Sequence, residues 1–254
     1  MLKARGLSDI GPVRKNNEDS FVSDEALRLF VVADGMGGHS AGEIASNLAV
    51  ETIVGFIRRS EEDAELSWPY GIDSTLSFSG NRLRTAIHLA NRRVFRAAEK
   101  YDEYTGMGTT VVGALISGSR LAVGHAGDSR VYLFAGGRLT RLTNDDTWAA
   151  TVLASHAEPD PASSSANPMR HVLTNVLGAR DHADVHMIEY DLQGGEMILL
   201  CSDGLHNVVD DEGICQLLSS DTVPANIVPQ LIQTALARGG RDNVTAVLAR
   251  YDGE

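Results

Sequence analysis

The sequence predicts an α+β fold in which two packed antiparallel β-sheets are flanked by helices. Three observations carry this expectation. Short apolar runs separated by Gly, Ser and Asp crowd residues 109–142 and recur at 28–33, 185–201 and 244–251. Two longer segments, 44–57 and 83–101, repeat apolar residues at steps of three and four, as amphipathic helices do. The order strand, helices, many strands, helix, strand also lacks the regular alternation of a doubly wound sheet.

Taken along the chain, Arg28-Leu-Phe-Val-Val-Ala33 reads as a buried strand running into the glycine-rich turn Asp34-Gly-Met-Gly-Gly38. Ile44, Leu48, Ile53, Phe56 and Ile57 mark one face of the first helix. Residues 60–81 are polar and turn-rich around Ser67-Trp-Pro-Tyr-Gly71 and read as a surface excursion. Leu83, Ile87, Ala90, Val94, Ala97 and Tyr101 form the face of a second helix. Strands are expected at 109–116, 120–126, 131–135 and 138–142, with Gly136-Gly137 as a hairpin turn. Residues 145–170 become small, polar and proline-bearing, the composition of a flap inside a domain. Strands near 185–190 and 197–201, a helix over 225–238 and a strand over 244–251 complete the set. No internal repeat or long linker divides the 254 residues, so one domain spanning 1–254 is expected.

Composition narrows the function classes. Hydrophobic residues at 43% and charged residues at 22% exclude disordered and collagen-like chains. The 22 Lys+Arg against 34 Asp+Glu leave a formal charge of −12, which argues against nucleic acid or an anionic membrane as partner. The longest apolar runs fall far short of a membrane span, and no signal-peptide run follows residues 1–6. Cys201 and Cys215 make no disulfide framework, so a reduced, cytoplasmic setting is expected.

Four aspartates share a setting. Asp34 and Asp203 follow the apolar strands ending Phe30-Val-Val-Ala33 and Ile198-Leu-Leu-Cys201, each with a glycine after it. Asp128 sits between two strands in Gly127-Asp-Ser-Arg130, and Asp242 precedes the last strand in Gly239-Gly-Arg-Asp-Asn243. An acid at the end of a buried strand is costly unless it is paired or bound to metal. Neighbouring glycines let a backbone carbonyl approach as a further oxygen donor. Carboxylate and carbonyl oxygens without Cys or His suit Mg²⁺ or Mn²⁺ over Zn²⁺. Ordinary Asp-Gly turns account for the same spacing, and both readings stand on the acids alone. Arg14 with Asn16-Asn-Glu-Asp19 forms an early polar cluster, either a solvated loop or a guanidinium fork placed for phosphate.

Seven segments in order then resemble one family. They are Arg14-Lys-Asn-Asn-Glu-Asp19, Val32-Ala-Asp-Gly-Met-Gly-Gly-His39 with Gly42-Glu43, and Gly106-Met-Gly-Thr-Thr-Val111. Gly124-His-Ala-Gly-Asp-Ser-Arg130, Asn167-Pro-Met-Arg-His-Val-Leu-Thr174, Leu200-Cys-Ser-Asp-Gly-Leu205 and Arg241-Asp-Asn-Val-Thr245 follow. Together they are similar to the bacterial metal-dependent serine/threonine protein phosphatases of type 2C. The resemblance implies an α-β-β-α sandwich with a centre of two Mn²⁺ or Mg²⁺ ions, or three. It implies that Asp34 bridges two ions, that the Gly35 carbonyl binds one of them, and that Asp203 and Asp242 hold the other. Asp19 and Glu18 would act through bound water, and Asp128 would join Asp203 on a third ion. Arg14 would grip the substrate phosphate while metal-activated water attacks a phosphoserine or phosphothreonine. His39 is a candidate proton donor to the leaving group, although eukaryotic members carry that histidine where Met36 stands here. Phosphorylated proteins are the implied substrates, a serine/threonine kinase the implied opponent, and a monomer the expected state.

The chain departs from the family at Thr143-Asn-Asp-Asp-Thr147, where many relatives have Thr-x-Asp-His-Ser, and in the excursion around Trp68-Pro-Tyr70. Two other functions compete. Gly38-His-Ser-Ala-Gly42 matches the nucleophile elbow of serine hydrolases, but Asp34 to Gly38 separate it from the strand. A non-catalytic binding module of the same fold would be expected to lack some of the acids. The remaining histidines, His171 and His206 among them, read as surface or satisfied core, and Asn243-Val-Thr245 is a sequon that a cytoplasmic chain would not use.

Overall fold

The structure is a computed structural model that describes residues 1–38, 40–63, 68–155, 169 and 171–253. Its first sheet orders its strands β1 (Leu2–Asp9), β11 (Val244–Tyr251), β10 (Glu196–Cys201), β7 (Arg130–Ala135) and β8 (Arg138–Arg141). The second runs β2 (Asp19–Asp24), β3 (Leu29–Met36), β5 (Val111–Ser117), β6 (Arg120–Ala126) and β9 (His186–Asp191), with the short β4 (Gly108–Thr109) on the end of β3. Every pairing is antiparallel.

Alternation along the strands explains the layering. Leu29, Val31 and Ala33 of β3 face the helices, whereas Phe30 and Val32 face the opposite sheet. In β10, Ile198 and Leu200 meet that inter-sheet core while Met197, Leu199 and Cys201 face the outer helices. A strand buried on both faces must be apolar at every position, which is why 29–33 and 197–201 read as continuous runs, while Arg28 stands exposed just before β3. Helices α1 (Ala41–Glu62) and α2 (Phe78–Lys100) cover the second sheet. After the single turn α4 (Asp203–His206), helices α5 (Asp211–Ser220) and α6 (Pro224–Ala237) cover the first, giving four layers with cores between them. The expected architecture of two packed sheets between helices is the one found.

Several boundaries differ from expectation. Strands β1 and β2 were not expected: each is only half-buried and mixes polar with apolar residues, which hides its period. Helix α5 was also not expected; it is a short helix capped by the Asp210 side chain, which accepts from Gly213 N–H. The 60–81 excursion is narrower than its composition suggests, because α1 continues to Glu62 and Ser77 caps α2. Among the described residues between them, Asp73 N–H donates to Asn81 Oδ1 at 2.7 Å. The expected flap opens with α3 (Trp148–Ser155), while 156–168 and Arg170 lie outside the described residues. Gly136 and Gly137 form the β7–β8 turn, both with φ in the left-handed region that a type I′ hairpin requires.

Candidate metal centre

The strand ends place the acids. Asp19 opens β2, Asp34 lies near the end of β3, Asp128 sits in the β6–β7 turn, Asp203 follows β10, and Asp242 stands two residues before β11. The antiparallel register sets Asp19 directly opposite Asp34. Like charges so placed repel. Asp34, Gly35, Asp128, Asp203 and Asp242 line one cavity of about 510 Å³, with Glu18 and Arg14 on its wall. The structure therefore gathers the predicted acids at one end of the sandwich, with Asp19 buried behind them. His39 lies outside the described residues.

Hydroxyls and amides fix these acids. Asp19 Oδ2 accepts from Ser202 Oγ at 2.7 Å and Thr245 Oγ1 at 2.6 Å. Asp34 donates its N–H to Thr110 Oγ1 at 3.1 Å, and its carbonyl accepts from Thr110 N–H and Thr109 Oγ1. Asn243 Oδ1 accepts from Glu18 N–H at 2.8 Å, and its amide donates to the Ile10 and Asn16 carbonyls. Asn207 Nδ2 donates to Asp203 Oδ2 at 3.0 Å. Thr109, Thr110 and Thr245 lie inside the motifs, but their task is hidden in the sequence because their partners lie far away along the chain. His171, expected as surface or satisfied core, is exposed and lines this cavity. His206 is enclosed, with Nε2 3.0 Å from the Asp128 carbonyl.

The electrostatics are those of charge gathered without compensation. Burial, then the charges of Asp19, Asp203, Asp128 and Asp242, push the Asp34 carboxyl well above the usual range. Burial and the charges of Asp203 and Asp145 push Asp128 up to about 7. Asp19 rises to about 6 through burial, against the pull of its two hydroxyl donors. Burial and Asp242 raise Asp203, and burial raises Glu18. Arg14 reaches in from the edge, its Nη2 2.7 Å from Asp242 Oδ2.

These residues fit hard divalent cations. Asp19 Oδ1 is buried without a hydrogen-bond partner, a carboxylate oxygen kept for something other than protein. The cavity acids are oxygen donors that raise one another's proton affinity, a conflict that divalent cations remove. Among the described residues no three His, Cys, Asp or Glu side chains close into a cage around one point. A ring of acids around an open space instead leaves room for ions that keep part of their water, as Mg²⁺ does.

A four-layer sandwich brings acids from the ends of both sheets together around one cavity whose oxygen donors suit hard cations. The sequence profile of the family described as Protein phosphatase 2C matches residues 13–248. The chain belongs to that family. It is 35% identical over 249 residues to the serine/threonine protein phosphatase PstP of Mycobacterium tuberculosis, covering 98% of this chain but spanning only 45% of that protein's length. The serine/threonine phosphatase stp of Listeria monocytogenes is 31% identical over 254 residues, covering 99% of this chain and 96% of that one. The crystal structure of the PstP catalytic domain in complex with two manganese ions superposes with a TM-score of 0.79 at 35% identity, covering 98% and 97% of the two chains.

Proposed function

We propose that the protein is a Mn²⁺- or Mg²⁺-dependent protein phosphatase that hydrolyses phosphoserine and phosphothreonine in protein substrates. The observation that carries this is the convergence of Asp34, Asp128, Asp203 and Asp242 on one cavity with Arg14 at its edge. Family membership and the two manganese ions of the related PstP domain support it.

In this reading Asp34, the Gly35 carbonyl, Asp203 and Asp242 would hold two ions, and Asp128 with Asp203 would hold a third. Asp19 from behind and Glu18 from the cavity wall would act through water. The bound ions supply Lewis acidity toward water and the phosphoryl oxygens. Arg14 leaves Asp242 and turns its fork to the substrate phosphate, which orients the phosphorus for in-line attack. Ser202 and Thr245 keep Asp19 from rotating, and Thr109 and Thr110 fix the backbone of Asp34 so that its carboxylate stays aimed at the cavity. The departing alkoxide needs a proton, for which His39 is one candidate donor and a water held at the centre the other.

Residues 1–254 form one catalytic domain in this reading, acting as a cytoplasmic monomer in signalling and opposing a serine/threonine kinase. The free thiols of Cys201 and Cys215 support a reduced compartment. Among the described residues no helix is long and apolar enough to cross a membrane. The deciding measurement is phosphate release from a phosphothreonine peptide with Mn²⁺, with EDTA, and by Asp34→Asn with Mn²⁺. Release is expected in the first alone, and equal release in all three overturns the proposal.

A further inference from the structure

Asp128 is gripped on both flanks by two consecutive acids, and the reaction described above uses neither of them. On one side Gly127 N–H donates to Asp146 Oδ2 at 3.0 Å, while Asp146 N–H returns a bond to the Gly127 carbonyl at 2.9 Å. On the other, Arg130 donates from Nε and Nη2 to the two oxygens of Asp145 at 2.9 and 2.7 Å. Gly127 has φ of 104°, and a Cβ there would meet Thr110 side-chain carbons at 2.7 Å, so the turn passes tightly over the threonine that supports Asp34.

Asp146 does more than close this turn. Its carbonyl accepts from Thr174 N–H at 2.8 Å, and its Oδ2 also accepts from Asn175 Nδ2 at 2.7 Å. Its Oδ1 faces His186 Nε2 at 3.1 Å, at the start of β9. Asn175 in turn exchanges two hydrogen bonds with the Asp184 backbone, at 2.8 and 3.1 Å. Thr174 and Asn175 continue the stretch whose His171 and Leu173 line the cavity, and Leu173 bridges to Thr147 beside Asp146. One carboxylate, 14% exposed, thus ties the loop of a cavity acid to a second segment of the cavity lining.

We propose that Asp146 is a positioning residue of the centre: it locks the Asp128 loop and the 171–175 wall into one geometry for a divalent cation and a phosphate. This rests on the phosphatase reading above. Asp146 Oδ2 accepts from Gly127 N–H and Asn175 Nδ2 while its Oδ1 faces His186 Nε2, so both oxygens are engaged. An amide keeps all three contacts only with its N–H₂ turned to an unprotonated Nε2. A solvated surface acid would make no such set of bonds to three separate segments.

The test compares wild type, Asp146→Asn, Asp128→Ala and the double variant. Mn²⁺ binding is read by calorimetry, and kcat and KM on a phosphothreonine peptide are read at several Mn²⁺ concentrations. Asp146→Asn is expected to weaken the Asp128-dependent Mn²⁺ binding by about tenfold, the usual effect of losing a group that orients a ligand. It should raise KM more than it lowers kcat, and it should add nothing in the Asp128→Ala background. Wild-type Mn²⁺ binding and KM overturn the inference, and so does full additivity with Asp128→Ala. A lowered melting temperature with unchanged binding per folded molecule marks a merely structural acid and overturns it too. If Asp146→Asn yields no folded protein, Asn175→Ala reads the same link from the wall, with a raised KM expected and an unchanged one decisive against. If wild type releases no phosphate, the phosphatase reading fails, while the calorimetric arm still reports on the coupling of Asp146 to Asp128.

Discussion

Arg14 Nη2 and Asp242 Oδ2 lie 2.7 Å apart, joining residues 228 positions distant at the mouth of the acidic cavity. Both side chains are nearly half exposed, at 48% and 41%, and an ion pair so placed is worth about 0–1 kcal/mol. Its purpose is therefore placement: without cations the guanidinium rests on one of the acids that cations would claim. Arg14→Ala should leave the melting temperature within about 3 °C. It should raise KM for a phosphothreonine peptide by roughly tenfold or more, the loss of a charge-assisted fork on phosphate. Arg14→Lys should recover only part, since an ammonium keeps the charge and loses the fork. Steady-state kinetics on the three proteins decide it, and an unchanged KM in Arg14→Ala removes Arg14 from phosphate binding.

Much of this was legible in the sequence because acids and glycines interrupt apolar runs visibly. Asp34 and Asp203 stand out since each ends a strand buried on both faces. The apparatus that aims the acids was not legible. Ser202 and Thr245 meet at Asp19 only because β10 and β11 pair in the register that sets Cys201 opposite Ala246. Likewise Asp146 stands out only once the β6–β7 turn folds beneath it. Edge strands such as β1 were missed for a different reason: with Lys3 and Arg5 among its residues and a half-buried face, its pattern is weak.

The raised carboxyl pKa values set a pH dependence for the cation-free protein. Asp19 and Asp128 titrate at about 6 and about 7, and Asp34 and Asp203 are also raised. An unfolded chain releases the same protons near a pH of roughly 3.9. Between these limits the folded state holds protons that the unfolded state has lost, so stability falls as pH rises. The stability is fully present below about pH 4 and is lost through about pH 6 to 7. In EDTA the melting temperature should therefore drop between about pH 5 and about pH 7.5. Asp34→Asn should flatten that slope by removing the central charge. Mn²⁺ should raise the melting temperature most at the upper pH, where its ligands are deprotonated. Calorimetric melts across the range check this, and a melting temperature that climbs with pH in EDTA contradicts the assignment.

Gly35 is required by its surroundings. A Cβ there would stand 2.0 Å from the Gly42 carbonyl oxygen and 2.7 Å from that of Glu18, and backbone cannot swing aside as a side-chain end can. Gly35→Ala should cost about 2 kcal/mol or more, lowering the melting temperature by roughly 5 °C and displacing Glu18 from the cavity wall. Gly38 has nothing within 4 Å of its would-be Cβ, so Gly38→Ala should melt within about 1 °C of wild type. Parallel thermal melts of the two variants separate the positions, and equal effects would refute the steric account.

Ser40 discriminates between the phosphatase and a serine hydrolase. It stands at the N-cap of α1, four residues past the end of β3, so it is not the sharp strand-to-helix elbow that exposes a nucleophile. Its side chain is exposed and makes no capping hydrogen bond, so the hydroxyl supports neither the helix nor the cavity acids. Ser40→Ala should therefore change stability by less than about 0.5 kcal/mol. Mn²⁺-dependent phosphate release should stay within about twofold of wild type, because no transition-state contact is removed. A nucleophilic serine would behave otherwise: its loss would lower kcat by several orders of magnitude at unchanged stability, and that outcome would return the assignment to the hydrolase.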